Sequence, residues 1–291
     1  MSDVLMTILM DVRDLPALIN AGADTFLIAI DKYSTGAYQM MSLDQAEFAS
    51  KMAAGFGKKI SLLVDKLFHE GELDEEEEIA RKIHAMDVQY VLFQDPGFYL
   101  CAKKYGFVDK LIYKPDTLMT SVNEILFWKE RGVRAAISPL VTLQETEQMI
   151  ASENAMVTVH GHTLMSRSAR PLFSAWQETF HIGEDMKHRH DLTIKEMKRE
   201  GHMPVYEDEN GAFIYSDEVL VSFQELKHML GHDTVIFVDG LFLERMALID
   251  AVRGYRMVMN GADGKEIEKA YCEKYAGLAF GKGYYDAKTV K

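Results

Sequence analysis

A rhythm constrains this chain more than any single motif. Eight short apolar runs, at residues 5–10, 26–30, 60–64, 90–93, 111–113, 135–137, 156–159 and 235–238, are separated by longer polar and amphipathic stretches. Short apolar runs bounded by polar residues fit parallel strands buried on both faces. Helical spacing fills many of the gaps, over residues 14–21, 43–55, 74–86, 121–131 and 143–151. Several of these stretches begin as helices do. Ser42 precedes Leu43, Asp14 precedes Leu15-Pro16, and Thr142 is followed three positions later by Glu145; such residues satisfy the free amides of a first turn. Alternating strands and helices predict an α/β fold, and eight strands with intervening helices predict a (β/α)8 barrel, with an open doubly wound sheet as the alternative. At 291 residues the chain suffices for one such barrel as a single domain spanning 1–291.

The strand ends repeat a chemical pattern. The runs close at Asp11, Asp31, Asp65, Asp95 and Asp239, with Lys114 and Asp116 just past the fifth and His160 at the seventh. In a parallel barrel every C-terminal strand end lies on one face, so these side chains would ring one mouth. An aspartate after a strand also caps the next helix or makes a turn, and each position carries both readings.

One interval breaks the rhythm. Residues 161–233 separate the seventh and eighth runs, far more than a helical connection needs. Within it, residues 203–215 alternate around Asn210-Gly211, a strong hairpin signal, and 222–230 reads as a helix. The expected arrangement is an insertion with a β-hairpin folded over the mouth, entered by a loop that begins at His160-Gly161 and carries His162, Ser166, Arg167, Ser168 and Arg170. Closing helices are expected over 241–259 and 265–274, with a tail over 281–291 that docks or stays loose.

Titratable nitrogen concentrates in that insertion. Eight of the ten histidines fall between His160 and His232, together with Arg167, Arg170, Lys187, Arg189, Lys195, Lys198 and Arg199. In a chain of net charge −13 this is a local basic segment, suited to a phosphate backbone or an anionic substrate. A solvated helix face accounts equally well for 187–199.

Other classes find little support. The N-terminus has no basic, cleavable leader, and no apolar run reaches the ~20 residues of a membrane span, so a soluble cytoplasmic protein is expected. Two cysteines, Cys101 and Cys272, allow neither a four-cysteine metal site nor a disulfide framework. No His-Glu-x-x-His sequence occurs, so no metal ligands are assigned, although the mouth itself is left open on this point. There is no Gly-x-Ser-x-Gly elbow and no phosphate-binding glycine loop. A hydrolytic reading would rest on Ser166 or Ser168 with His160 as base.

The segment Val159-His-Gly-His-Thr-Leu-Met-Ser-Arg-Ser-Ala-Arg-Pro-Leu-Phe-Ser174 resembles the signature of peptidase family U32, the collagenase-like proteins. Ala21-Gly-Ala-Asp24, Phe93-Gln-Asp95 with Gly97, and Phe237-Val-Asp-Gly240 extend the resemblance over most of the chain. It implies a barrel fold and a site drawn from His160, Ser168, Asp95 and Asp239 as catalytic residues. Arg167, Arg170, His162, Ser166, Asp116 and Lys114 would then contact substrate or RNA. The departures are specific. The signature cysteines correspond to Leu164 and Pro171, so the four-cysteine iron–sulfur cluster of many relatives has no ligands here, and no cofactor of its own is expected. The resemblance is to the short, cysteine-free branch that accompanies a longer family member, which would be its partner. Such pairs are linked to 5-hydroxylation of the wobble uridine in transfer RNA. Three functions follow: an accessory or subunit of that system, binding tRNA through the basic insertion; a collagenase-like peptidase; or an inactive scaffold. Oligomeric state and catalytic competence are left open.

Overall fold

A computed structural model describes residues 2–116, 119–197 and 200–287. In chain order the barrel half-turns are β1 (Val4–Ile8), α1 (Leu15–Ala21), β2 (Thr25–Ala29), α2 (Leu43–Ala54), β3 (Lys59–Val64), α3 (Leu73–His84) and β4 (Val88–Phe93). They continue with α4 (Pro96–Tyr105), β5 (Leu111–Tyr113), α5 (Val122–Lys129), β6 (Arg134–Ala136), α6 (Leu143–Ile150) and β7 (Ala155–Ser168). The insertion adds α7 (Leu172–Phe180), β8 (Thr193–Lys195), β9 (His202–Asp208) and β10 (Gly211–Val221). The chain closes with β11 (Val235–Val238), α8 (Arg245–Met259), α9 (Gly264–Lys274) and β12 (Phe280–Gly281).

Strands β1 to β7 pair in sequence, all parallel, and β11 pairs in parallel with both β1 and β7. The sheet is therefore a closed eight-stranded barrel with no free edge in its wall, the expected (β/α)8 architecture rather than an open sheet. Both faces of the wall are covered by fully buried side chains, among them Leu5, Phe26, Leu62, Leu92 and Phe237. Buried polar side chains on the strands pair with one another or with backbone: Thr25 Oγ1 lies 2.8 Å from Ser61 Oγ, and Thr7 donates to the Val238 carbonyl at 3.1 Å. Capping boxes at Ser42–Gln45, Ser121–Glu124 and Thr142–Glu145 start α2, α5 and α6. Among the described residues no helix is long and apolar enough to cross a membrane.

Two local expectations are corrected, one helix is added and one open alternative is decided. Helix α4 escapes the periodicity because it opens on Pro96-Gly97 and its apolar residues crowd together rather than repeat. The stretch 222–230 makes only a single 3-10 turn, Glu225–His228. The tail docks through residue 287: Lys282 Nζ reaches Glu268 at 2.7 Å and Glu225 at 2.8 Å, and Tyr285 is buried. The largest correction concerns the segment after His160. It is not a loop but a continuation of β7, which runs 14 residues and leaves the barrel wall to pair antiparallel with β10.

That continuation needs a change of direction, and two residues supply it. The pairing of β11 with β7 jumps from Phe237↔Thr158 to Val238↔His160, so Val159 is an extra residue, a β-bulge. A bulge bends the strand and shifts the phase of its side chains. Two residues on, Gly161 sits at φ 118°, and a Cβ there would lie 2.8 Å from both Cβ and the carbonyl oxygen of Asp239. Beyond the bend, β10 pairs with β9 across the Asn210-Gly211 turn, and β9 with β8. A small second core of Ala37, Tyr206, Phe213, Tyr215 and Leu241 binds this sheet extension to the loops after β2 and β11. The insertion is thus held against the barrel's C-terminal mouth.

Gly161→Ala combines a left-handed backbone with a steric clash, and a loss of roughly 3 kcal/mol or more is expected in urea unfolding. Gly57→Ala is the control. It has φ 68° and nothing within 4 Å of its Cβ position, and it should cost about 1 kcal/mol. Equal losses in the two variants would show that the Gly161–Asp239 contact does not constrain the bend.

Candidate active site at the barrel mouth

A cavity of about 110 Å³ occupies the C-terminal mouth. Its floor and sides come from strand ends: Lys114 and Asp116 after β5, Ser138 after β6, Thr158 on β7, and Phe237 and Asp239 on and after β11. Its roof comes from the extension, through His162, Leu164 and Tyr215, and from Tyr38 in the loop after β2. The last polar residues of the buried strands therefore meet the insertion around one small space, as barrel sites are built.

Carboxylates dominate it electrostatically. Asp65 is buried at the end of β3; burial is the main cause that pushes its carboxyl up to about 6, with nearby Lys114 opposing and Asp116 reinforcing. It is held by the Thr35 amide at 2.8 Å. Asp239 is also buried and shifted upward by burial, and it accepts hydrogen bonds from Tyr38 Oη at 2.7 Å and the Leu241 amide at 3.0 Å. Asp116 forms an ion pair with Arg167, whose guanidinium also lies 5.3 Å from the Phe213 ring centre. The Asp116 amide donates to Gln94 Oε1 at 3.2 Å, and Gln94 in turn donates to the Asp65 carbonyl. Among the described residues, no hydrogen bond or ion pair engages the Lys114 ammonium.

The two histidines of the signature part company. His162 lines the cavity, and its Nδ1 lies 2.7 Å from the Ser216 carbonyl. Burial lowers its pKa. His160, by contrast, has no exposed surface. Its Nδ1 lies 3.3 Å from Tyr255 Oη and its Nε2 3.2 Å from Tyr271 Oη, among Phe223, α8 and α9 outside the barrel wall. Burial lowers its pKa to about 3, so it is neutral. Without the bulge at Val159, strand alternation would place it on the lumen face with Thr158.

The sequence profile of peptidase family U32 matches residues 10–290. The chain belongs to peptidase family U32. One relative, "tRNA hydroxylation protein P2" of Bacillus subtilis (strain 168), is 27% identical over 252 residues, covering 84% of this chain and 81% of the relative. The solved structure of the U32 peptidase Mk0906 superposes with a TM-score of 0.51 at 12% identity, covering 82% of this chain and 93% of that one. The latter establishes a shared fold.

The mouth brings together only part of the U32-type residue set read from the sequence. Asp116, Lys114, Asp239 and His162 line one cavity, and Arg167 reaches it through its pair with Asp116. His160 is corrected to a core position. Asp95 takes the helix-capping one of its two readings: one carboxylate oxygen accepts from the Gly97 amide at 2.7 Å and the other from the Phe68 amide at 2.8 Å. Its charge, after burial, helps push the neighbouring Glu76 up to about 7. Ser168 does not meet His160; it sits at the outer end of β7, where its hydroxyl accepts from the Arg170 amide at 3.1 Å. Ser166 and Arg170 are exposed on the same outer stretch. Asp11 and Asp31 stand away from the cavity lining; Asp11 pairs with Arg13.

In the basic segment the described cations stand beside acids: Lys187 faces Glu209, Arg189 pairs with Glu184 and Asp191, and Lys195 with Glu200. Lys198 and Arg199 lie outside the described residues. A four-thiolate cluster does not fit this member: Cys101 and Cys272 are its only thiols, on α4 and α9, and burial raises the pKa of both. Tyr38, Tyr215 and Ser138 were not singled out in the sequence. Tyr215 alternates with Phe213 along a strand, which gives it a face but not a destination.

The shifted groups predict opposite pH responses. Asp65 is raised above its unfolded value, so the stability it contributes is present below about pH 4 and lost as pH rises through about 6. Asp65→Asn should therefore gain on the wild type across that window, by up to roughly 3 kcal/mol. His160 is lowered, so its contribution is present above pH 6.5 and lost as pH falls toward 3. The advantage of the wild type over His160→Asn should shrink on acidification. Urea midpoints at stepped pH measure both, and parallel profiles for wild type and variants would refute the assignments.

Proposed function

We propose that this protein acts in 5-hydroxylation of the wobble uridine of transfer RNA, as a subunit or accessory of the hydroxylation system, with the mouth cavity as the place where the base is received. The observation that carries this reading is the match over most of both chains to a relative whose name assigns it to tRNA hydroxylation. The site is consistent with it. Its cavity is small beside the ~300–1,000 Å³ of sites that enclose drug-sized ligands, and it suits one flat group inserted from outside.

The peptidase reading lacks an activated nucleophile. Such catalysis needs a serine within hydrogen-bond reach of a base, and both ring nitrogens of His160 are engaged by tyrosines. A scaffold role is disfavoured by the concentration of buried carboxylates around an unpaired lysine, which a merely structural mouth would not need. The partner envisaged is a longer U32 protein, with tRNA contacted at the mouth rim. Arg170 and the Asp116–Arg167 pair contribute there, in place of a general basic surface.

The decisive test is nucleoside mass spectrometry of tRNA from a strain lacking the gene. Hydroxylated wobble uridine should fall at least several-fold, recover with the wild-type gene, and fail to recover with Asp239→Asn or Arg167→Ala expressed at equal level. An unchanged nucleoside profile in the deletion strain would refute the role. As a second check, Ser168→Ala should restore the modification fully, because Ser168 lies outside the cavity; failure of that variant would return the hydroxyl to consideration.

A further inference from the structure

The hydrogen-bonding state of the mouth specifies more than a cavity. A carbonyl oxygen only accepts, so the 2.7 Å contact with Ser216 fixes the proton of His162 on Nδ1. Burial lowers the pKa of this histidine, which keeps the ring neutral at neutral pH. Its Nε2 therefore carries a lone pair and can only accept, and no hydrogen bond among the described residues engages it. The ring is further held edge-on against Phe242, at 5.9 Å between centres. On the same cavity lie the unpaired Lys114 ammonium, which can only donate, and the Ser138 hydroxyl, whose oxygen accepts from the Leu140 amide at 3.2 Å and whose proton is left to donate. Tyr38, Tyr215, Met119 and Phe237 supply apolar wall.

The geometry points to a recognition site for an imide edge, with His162 Nε2 as the specificity-determining acceptor. An imide presents an N–H flanked by two carbonyl oxygens. The N–H meets the His162 lone pair, and Lys114 or the Ser138 hydroxyl meets a flanking oxygen. Uracil has this edge. Cytosine has a bare ring nitrogen at the same place, which would oppose lone pair to lone pair and leave both buried without a donor. Methylation of the imide nitrogen would remove the donor and add bulk. This inference rests on the tRNA reading above and adds to it the groups that select the base.

The test uses the full-length protein with 15N-labelled histidine and three probes: uridine, cytidine and 3-methyluridine. Titration with uridine is expected to move the His162 Nε2 resonance away from its free-acceptor position. Cytidine and 3-methyluridine should bind roughly tenfold or more weakly, since sites built around a hydrogen bond reject analogues that lack it. In His162→Phe the preference should fall toward one, and in Lys114→Met the affinity for uridine should fall. Equal affinities for the three nucleosides, an unmoved His162 resonance, or absence of uridine binding would overturn the proposal, and the wild-type titration alone suffices if a variant does not fold. The strain experiment reads the tRNA role separately. Lost hydroxylation together with an unmoved resonance would discard base selection by His162 and keep the role. A moved resonance with unchanged tRNA would keep the imide site and discard the role.

Discussion

The bend in β7 is the constraint on which the rest of the structure depends. Seven strands could stop at the barrel rim; this one continues, and it can do so only because an extra residue at Val159 and a left-handed glycine at 161 let the chain turn beside Asp239. The Asp239 amide donates to the His160 carbonyl at 3.0 Å, so the same turn closes the barrel and fixes a mouth carboxylate. Past the turn, β7 becomes the template for β10, and β10 for β9. Without the bend there would be no roof, and the strand-end aspartates would face open solvent.

Burial then decides what those aspartates are. A carboxylate removed from water is costly as an anion unless it is paired. The mouth offers three solutions side by side: Asp116 takes Arg167, Asp239 takes the Tyr38 hydroxyl and a backbone amide, and Asp65 takes backbone and hydroxyl donors and moves its pKa upward. Lys114 stands among them without a direct partner. Two buried carboxylates shifted upward beside a small space, Asp65 and Asp239, are characteristic of sites that bind or act. A second acidic pair lies at the end of β4, where Asp95 caps α4 and the buried Glu76 is pushed up to about 7 by burial, with Oε1 lacking a hydrogen-bond partner among the described residues.

The histidine pair shows how far a linear motif can mislead. His160 and His162 are two apart, and an unbroken strand would put both on one face. The bulge and the glycine separate their roles: His160 anchors β7 to Tyr255 and Tyr271, and His162 turns into the cavity. A residue that is prominent in a family signature can thus be a structural pin rather than a reacting group.

The sequence by itself determined the barrel. Short apolar runs and capped helical stretches depend on local propensity and on one-dimensional spacing, so the eight barrel strands, the α2, α5 and α6 starts and the Asn210-Gly211 turn were legible. It also determined that the strand-end acids are candidates and that a four-cysteine cluster has no ligands, since these depend only on which residues exist. Only the tertiary structure decided which candidates meet. Asp95 and Asp239 look alike at a strand end, and the difference lies in whether a helix amide or a tyrosine from a distant loop arrives to bind them. Charge in the insertion looks basic only when lysines and arginines are counted without the acids within five residues of them, Glu184, Asp191 and Glu200; Glu209 alone arrives from farther along the chain. The physical reason is common to all of these: strand and helix formation are governed by neighbours along the chain, but pKa, tautomer and ion pairing are governed by neighbours in space.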